Sequence, residues 1–169
     1  MHRKPVLLYI EKFLTKEVCG MLHIVEKEIT SEDAINLLAA LNASLKAITN
    51  NSGAASFDPD EMQDDRAAFL IAYEDGKPMG CGAIRKIDTY VAEIKRVFAY
   101  PNQSGVGRAI LEALEQKAVS YGYHKLILET RKINEKAVRF YLKNGYEIID
   151  NYGKYKGVEE AICFSKHII

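Results

Sequence analysis

A strand that runs into a glycine turn and then directly into a helix constrains this chain more than any other feature. Residues 92–99, AEIKRVFA, are rich in β-branched and aromatic types, and the polar segment 100–104 ends the run. Gly105 and Gly107 follow, and a helical pattern of apolar residues begins at once and continues to Tyr121. The first backbone N–H groups of such a helix lack intrahelical acceptors and lie at the positive end of the helix dipole. The sequence therefore predicts an anion-binding site at residues 105–108.

The elements around this turn predict one mixed sheet. Asp75-Gly76 lies between the apolar runs 67–73 and 78–85, a spacing typical of a β-hairpin, and a third strand is predicted at 90–99. The helix 106–121 lies between two strand patterns, and a strand–helix–strand connection requires parallel strands. The predicted fold class is α/β (α+β), with a single mixed, twisted, largely antiparallel sheet and helices on both faces.

The remaining segments complete a single domain over residues 21–169. A strand is predicted at 22–29, and a helix begins after Thr30 or Ser31, with the apolar stripe Ile35, Leu38, Leu41, Leu45 and Ile48. A short helix is predicted from Asp58, strands at 125–130, 146–149 and 161–165, and a helix at 134–144. Residues 1–20 are predicted to be an N-terminal extension with a short helix at 5–18, packed on the domain or on a second subunit.

Composition argues against several classes of function. Lys+Arg and Asp+Glu both number 23, so the net charge is zero, which argues against bulk nucleic-acid binding. Cys19, Cys81 and Cys163 share no metal-ligand spacing and cannot all pair, which indicates no metal site and a reducing, cytoplasmic location. No apolar run approaches the roughly 18 residues of a membrane span, so we expect no membrane partner.

Two common phosphate-binding motifs fit the glycine turn poorly. A P-loop requires Lys and then Ser or Thr after its last glycine, whereas Gly107 is followed by Arg108 and Ala109. A dinucleotide-binding site fits in part, because Glu129 ends the next strand about twenty residues on, where a ribose-binding acid belongs. However, Ile110 occupies the position of the third glycine, and the polar segment 100–104 separates the strand from the turn.

Residues 92–145 resemble the GNAT superfamily, the N-acetyltransferases that use acetyl-CoA. The segment 102–107, NQSGVG, matches their central glycine motif, although Asn102 stands where relatives usually carry Arg or Gln. A second signature is an Asn before a helix that ends in Tyr, Gly and an aromatic residue, and Asn134, Tyr141 and Gly145-Tyr146 match it. The resemblance implies a GNAT-like acyl-CoA N-acyltransferase fold over roughly residues 21–166.

The same resemblance implies how acetyl-CoA is bound. The end of the strand before the turn is expected to bind the pantetheine arm through its backbone, and the turn to bind the pyrophosphate. The implied cofactor-binding residues are Val97, Phe98, Ala99, Gln103, Ser104, Gly105, Val106, Gly107, Arg108, Asn134 and Tyr141. Asn134 fits equally well as the cap of its helix.

Two residues are the candidate catalytic groups. The resemblance implies that Tyr141 protonates the departing thiolate of CoA, whereas its helical spacing is also compatible with a purely packed tyrosine. Glu93, on the central strand, is the candidate general base, and an exposed glutamate paired with Lys95 or Arg96 is the alternative. By analogy, the first helix, the loop 50–60 and Tyr152 and Tyr155 line the acceptor pocket.

The predicted function is transfer of the acetyl group of acetyl-CoA to a primary amine by direct attack in a ternary complex. The amine could belong to a small molecule, an amino acid, a polyamine or a peptide, since fold similarity does not fix the substrate. A non-catalytic CoA-binding module on the same fold is the alternative, and a dinucleotide-binding oxidoreductase is a weaker one. A homodimer is a further expectation.

Overall fold

The computed structural model describes residues 21–101 and 105–169. The helix predicted at 5–18 and the predicted cofactor residues Gln103 and Ser104, with Asn102, lie outside this part of the chain. The described strands are β1 Leu22–Glu26, β2 Ala68–Glu74, β3 Lys77–Lys86, β4 Val91–Ala99, β5 Lys125–Arg131, β6 Glu147–Ile149 and β7 Ala161–His167. The described α-helices are α1 Glu32–Thr49, α2 Val106–Ser120 and α3 Glu135–Lys143.

The strands form one seven-stranded sheet in the order β1-β2-β3-β4-β5-β7-β6. The β2–β3 hairpin turns at Asp75 and Gly76, whose φ angles of 49° and 76° suit a tight two-residue turn. β4 and β5 are parallel and are joined through α2, while the other neighbouring pairs are antiparallel. The prediction of a mixed, largely antiparallel sheet is confirmed.

Helices cover both faces of the sheet. On one face, α2 and α3 enclose the larger core, which contains Ile110, Leu114 and Tyr141. On the opposite face, α1 packs its residues Ala34 and Leu37 on β2 and β3. Gly82 of β3 lets α2 approach closely, because a Cβ there would lie 2.8 Å from the Leu114 side chain and 3.0 Å from that of Ile110. The site described below lies where the two layers meet at β4.

The apolar stripe predicted for α1 is right in its middle, where Leu41 is buried and Leu38 packs against the core, and wrong at Ile35 and Ile48. The buried residues of α1 are Ala34, Leu37 and Leu41, whereas Ile35 is 56% exposed and Ile48 is 40% exposed. Both sets have helical spacing, so periodicity alone cannot decide between them. The position of α1 over β3 and β4 decides it, and this orientation leaves the C-terminal half of α1 beside a cavity.

Two element boundaries also differ from prediction. β1 ends at Glu26 rather than at residue 29. The backbone N–H of Lys27 still donates a hydrogen bond to Phe69 O of β2, and the chain leaves the sheet after it. The short helix predicted from Asp58 is a 3₁₀ turn over Pro59–Gln63, in which the Asp58 side chain accepts a hydrogen bond from the backbone N–H of Asp60.

The sheet opens between β4 and β5. Their pairing covers only Val91–Glu93 against Lys125–Ile127, and the two strands then separate. A bulge in β4 accompanies the opening, because Gly82 of β3 faces two residues of β4 where regular pairing has one. Arg96, in this bulge, has a φ of 58°, a left-handed conformation that is uncommon for a residue with a Cβ. The opening gives access from one face of the sheet to the other.

Candidate active site

A cavity of about 950 Å³ occupies the opening beside β4. Its walls come from the end of β4, the first turn of α2, α3 and the C-terminal half of α1. Eight of the predicted cofactor-binding residues line it, namely Val97, Phe98, Ala99, Gly105, Gly107, Arg108, Asn134 and Tyr141. Val106 is the exception among the described ones, because its side chain is buried in the core and only its backbone faces the turn.

The first turn of α2 forms an anion cradle. Gly105 caps the helix with a φ of 83° and, having no side chain, gives no side-chain acceptor to the N–H groups that follow it. Among residues 21–101 and 105–169, a Cβ at Gly105 would meet no atom within 4 Å, so the backbone angle favours glycine here. Gly107 lies against the Phe140 ring, 3.5 Å from where its Cβ would stand. A pyrophosphate fits this arrangement of donors.

The end of β4 offers a free backbone edge to the same cavity. No residue of β5 pairs with β4 beyond Glu93, while β3 occupies the other edge as far as Ala99. Val97, Phe98 and Ala99 therefore present unpaired peptide groups toward the cleft. An extended ligand that carries amide groups can hydrogen-bond to such an edge as an added strand does. The pantetheine arm of CoA is a ligand of this kind, so these residues fit the cofactor that the sequence implied.

A second cavity of about 360 Å³ lies on the α1 face and continues the first. It is enclosed by α1, the loop 49–56, the β4 bulge, the C-terminal end of β5 and the segment 154–158. Six residues line both cavities: Leu41, Leu45, Val97, Asn134, Ala137 and Tyr141. A ligand in the large cavity and a ligand in the small one would therefore meet beside Tyr141.

Tyr141 lies at the junction of the two cavities. The side chain is 7% exposed and packs on the rings of Phe140, Tyr146 and Phe164, with centroids 5.2, 5.7 and 5.9 Å away. Within the described residues its hydroxyl makes no hydrogen bond. Burial raises the pKa of Tyr141 above its ordinary value, so the phenol is held protonated. It can donate a proton to a ligand.

Asn134 caps α3, as one of the two interpretations of the sequence required. Its side-chain oxygen accepts a hydrogen bond from the backbone N–H of Ala137 at 3.3 Å. The residue also lines both cavities, so its amide group remains near a bound ligand.

Glu93, the predicted general base, lies behind the cavities rather than on them. It has no exposed surface, and it lines neither cavity. One of its oxygens accepts a hydrogen bond from Arg85 Nε at 2.6 Å and the other from the Tyr152 hydroxyl at 2.7 Å. The alternative of an exposed glutamate paired with Lys95 or Arg96 is wrong, because the ion-pair partner of this buried carboxylate is Arg85, which also pairs with Glu61.

Glu129 is the carboxylate that the small cavity does present, and the sequence interpretation missed it. Its Oε1 is buried without a hydrogen-bond partner in the described part of the chain, and Arg131 Nε lies 3.5 Å away. Desolvation raises the pKa of Glu129 above its ordinary value, although Arg131 and Lys95 oppose this. The sequence suggests for Glu129 only the role of a ribose-binding acid in the dinucleotide-binding alternative. The position of Glu129 near the end of β5 could have indicated its role, because residues at that end lie beside the point where β4 and β5 separate.

The predicted lining of the acceptor pocket agrees with this cavity in most parts. α1 contributes Leu41 and Leu45, and Tyr155 contributes its ring and its hydroxyl. Tyr152 does not line the cavity and contacts Glu93 instead.

The profile of the Acetyltransferase (GNAT) family matches residues 34–146, which is more than half of the chain and includes most of α1, the glycine turn and α3. The chain belongs to the GNAT acetyltransferase family. The predicted family is thereby confirmed. The dinucleotide-binding alternative is excluded by the fold as well, because a Rossmann fold has a mostly parallel sheet and this GNAT chain has one parallel pair in its described part.

Known proteins resemble this GNAT chain in sequence and in fold. The IAA acetyltransferase of Azospirillum brasilense is 37% identical over 91 residues, which cover 52% of this chain and 59% of that protein. A Klebsiella pneumoniae structure named for acyl-CoA N-acyltransferase activity superposes with a TM-score of 0.75 at 27% identity, covering 88% of this chain and 99% of that one. A GNAT family acetyltransferase of Elizabethkingia anophelis with acetyl-CoA bound shares the fold, with a TM-score of 0.64 at 20% identity, over 86% and 97% of the two chains.

No helix in residues 21–101 or 105–169 combines the length and apolar character needed to cross a membrane. Within the same ranges no three or more His, Cys, Asp or Glu side chains are grouped so that they could hold a metal ion.

Proposed function

We propose that this GNAT chain transfers the acetyl group of acetyl-CoA to a primary amine by direct attack in a ternary complex. The observation that carries the proposal is the junction of the two cavities at Tyr141. The large cavity has the volume and the backbone donors for the cofactor, and the small one has room for an amine. Both reactants can therefore be held at once, and no covalent intermediate on the protein is needed.

On the donor side, the chain binds the cofactor mainly through its backbone. The N–H groups of the first turn of α2 hold the pyrophosphate, and the free edge of β4 at Val97–Ala99 holds the pantetheine arm. When bound, acetyl-CoA supplies the activated acetyl thioester. Asn134 and the Phe140 ring close the cavity on the α3 side and orient the arm toward Tyr141.

Tyr141 is the proposed general acid. A phenol with a pKa near 10 that protonates a thiolate with a pKa near 8.5 works against about 2 kcal/mol. Desolvation raises the pKa of Tyr141 and would also raise that of a thiolate held beside it, so the two shifts oppose each other in this gap. A positioned acid typically contributes about a hundredfold or more to the rate, which exceeds this cost.

A proton must also leave the amine. An alkyl ammonium with a pKa near 10.4 costs about 4.6 kcal/mol to deprotonate at pH 7. We propose Glu129 as the proton acceptor, because its carboxylate lines the small cavity and its Oε1 has no hydrogen-bond partner among the described residues. Glu93 is the residue that the sequence predicts for this role. Its carboxylate is fully engaged by Arg85 and Tyr152, which suits a role in holding the 152–155 segment in place.

Binding and turnover are tested separately. We expect acetyl-CoA to raise the melting temperature by mass action, whereas NADH should not. We then expect amines to stimulate thiol release from acetyl-CoA. If acetyl-CoA stabilises the protein but no amine in a broad panel supports thiol release, the non-catalytic CoA-binding module is the correct interpretation. If acetyl-CoA does not stabilise the protein, both proposals fail.

We also propose a cytoplasmic location and a homodimer. Cys81 and Cys163 are buried free thiols, which suits a reducing compartment. Fractionation of cells that produce the tagged chain tests the location, and light scattering coupled to size-exclusion chromatography tests the dimer.

A further inference from the structure

We propose that the amine acceptor of this enzyme also carries an anionic group, so that its substrate is a small amino acid or a related amino-acid-like molecule. The inference rests on the proposed function and names the substrate class of the same site. It comes from the small cavity, whose charged lining residues in the described part of the chain are four cations and one carboxylate: Lys95, Arg96, Arg131, Lys154 and Glu129.

The β4 bulge directs two consecutive cations to this cavity. In a regular strand, neighbouring side chains point to opposite faces. Here Ile94 and Val97 both pack against the α2-side core, while Lys95 and Arg96 between them both face the α1 side. The strained φ of Arg96 is what allows this arrangement. Bulges commonly re-aim side chains beside active sites, and this one doubles the positive charge that β4 gives to the cavity.

Lys95 is a buried cation whose close partners are neutral. It is 8% exposed, and its Nζ donates to the Tyr155 hydroxyl at 3.0 Å and to Ser56 Oγ at 3.5 Å. In the described part of the chain no carboxylate lies within 4 Å of Nζ, although Glu93 and Glu129 act on it from farther away. Desolvation lowers the pKa of Lys95 below its ordinary value. A buried ammonium without an adjacent anion is costly, and an anionic ligand would compensate it.

Arg96 and Lys154 are likewise without ion-pair partners within residues 21–101 and 105–169. Arg96 donates to the Asn42 side chain and to Ser52 O, and its guanidinium lies over the Phe57 ring. Lys154 Nζ donates to Ser56 O at 3.1 Å. Arg131 differs, because Glu129 lies 3.5 Å from its Nε. The cavity therefore has more positive charge than its own carboxylate can balance.

The unsatisfied atoms of the cavity match both ends of an amino acid. Among the described residues, two buried side-chain polar atoms have no hydrogen-bond partner, Arg96 Nε and Glu129 Oε1, and both residues line this cavity. One atom is a donor and the other is an acceptor. Buried polar atoms in proteins nearly always have partners. A ligand with a carboxylate and an ammonium group can supply both, and Glu129 then holds the amine end as its proton acceptor.

The size and walls of the cavity favour a small acceptor. A volume of about 360 Å³ is at the low end of the range for small-molecule sites. Leu41 and Leu45 supply apolar walls beside the charged groups. We therefore expect an amino-acid-sized molecule.

The decisive experiment compares matched amine acceptors with the unmodified enzyme. Each amino acid is tested beside its carboxamide, which keeps the amine and removes the negative charge, and beside the corresponding aminoalkylphosphonate, which keeps a negative charge. We expect kcat/KM from thiol release to be about ten- to a hundredfold higher for the anionic members, the range of one charge-assisted hydrogen bond. Comparing kcat/KM for the amino acid with that for the aminoalkylphosphonate shows which of the two anionic groups the cavity prefers. Equal kcat/KM for acids and amides would refute the inference.

Substitutions then locate the anion site. Lys154→Met, which changes an exposed residue, and Lys95→Met are each expected to reduce the preference for the acid over the amide by about tenfold. The Michaelis constant for acetyl-CoA should be unchanged. Lys77→Met, an exposed lysine that lines neither cavity, is the matched control. If Lys95→Met does not fold, the acid-over-amide preference of Lys154→Met and of the unmodified enzyme still tests the anion site. A preference unaffected by Lys154→Met and Lys95→Met would place the anion elsewhere and overturn the assignment.

The failure of the proposed function is distinguishable from the failure of this inference. If amines support thiol release without regard to their charge, the transferase proposal stands and only the substrate class is wrong. If neither acids nor amides support thiol release, the transferase proposal fails, and the inference that rests on it fails as well.

Discussion

Replacing Tyr141 by phenylalanine separates catalysis from packing in one step. The substitution removes a hydroxyl that has no hydrogen-bond partner in the described residues and keeps the ring among Phe140, Tyr146 and Phe164. No partner is left unsatisfied, so the free energy of unfolding should change by less than about 1 kcal/mol and could increase. For a chain of 169 residues this corresponds to less than about 4 °C in melting temperature.

The effect on turnover should be much larger. Loss of a positioned general acid should lower kcat about a hundredfold or more, which corresponds to about 2.7 kcal/mol or more in activation free energy. The Michaelis constant for acetyl-CoA should change little, because the ring and the cofactor cavity are retained. Thiol release at saturating substrates measures kcat, and thermal unfolding measures stability.

Tyr146→Phe is the matched control. Its ring lies 5.7 Å from that of Tyr141, but its hydroxyl donates to Glu115 at 3.0 Å. Losing this hydrogen bond should lower the free energy of unfolding by about 1 kcal/mol, or about 2–4 °C, with kcat unchanged. The two variants should therefore show opposite patterns. A Tyr141→Phe enzyme with normal kcat would refute the acid role and leave Tyr141 as a packed residue.

The pH dependence of this comparison follows from burial. Because burial raises the pKa of Tyr141, the phenol stays protonated up to and beyond pH 10, its ordinary value. The kcat ratio of wild type to Tyr141→Phe should therefore be constant between about pH 7 and pH 9.5. The same sign applies to stability: the contribution of the buried neutral phenol is complete below about pH 10 and is lost only above it. If the kcat ratio of wild type to Tyr141→Phe decreased as the pH rises from 7 to 9, the phenol would be losing its proton in that range, which would contradict the raised pKa.

Three further predictions concern the base, the cradle and a thiol. Glu129 must be ionised to accept a proton, so kcat/KM should fall on the acid side with an apparent pKa above 4.5. Glu129→Gln should abolish this fall at low pH and lower kcat about a hundredfold. Glu93→Gln should keep the fall at low pH, and its free energy of unfolding should decrease by about 3–5 kcal/mol. The reverse pattern would assign the base role to Glu93. In Gly105→Ala the free turn should relax away from a φ of 83°, because an alanine held there is strained by about 1–2 kcal/mol. Restoring the angle on binding should weaken the affinity for acetyl-CoA in calorimetry by about 5- to 30-fold, and unchanged affinity would contradict the cradle. Burial raises the pKa of Cys81 to about 12, so iodoacetamide at pH 8 should leave Cys81 unmodified in the native protein and modify it after unfolding, as mapped by mass spectrometry.

Local signals in the sequence predicted most of the secondary structure. The hairpin at Asp75-Gly76 and the helix that begins after Gly105 follow from turn and capping chemistry within a few residues. The cap of α3 by Asn134 is local in the same sense. The donor side of the site was predictable for this reason, because its parts are a strand end, a turn and a helix start in succession.

The acceptor side depended on contacts between distant residues. The sequence contains both Glu93 and Glu129, and nothing local to either shows which carboxylate is open to a ligand. Arg85 and Tyr152 decide it by occupying Glu93 from positions 8 and 59 residues away. The rotation of α1 was undetermined for a similar reason, since two sets of apolar residues have the same spacing and only the sheet beneath selects one.

The strand, the glycine turn and the helix at residues 92–120 are therefore what the sequence by itself determined. Their succession predicts a backbone site for an anionic cofactor, and the absence of net charge argues against bulk nucleic-acid binding. The tertiary structure alone decided what faces that cofactor. Separation of β4 from β5 opened the sheet, and the bulge at Arg96 turned Lys95 and Arg96 to the same side. The physical reason is that turns and caps are fixed by neighbours along the chain, whereas a bulge and a strand opening are fixed by the partner strands and by the helices packed on them.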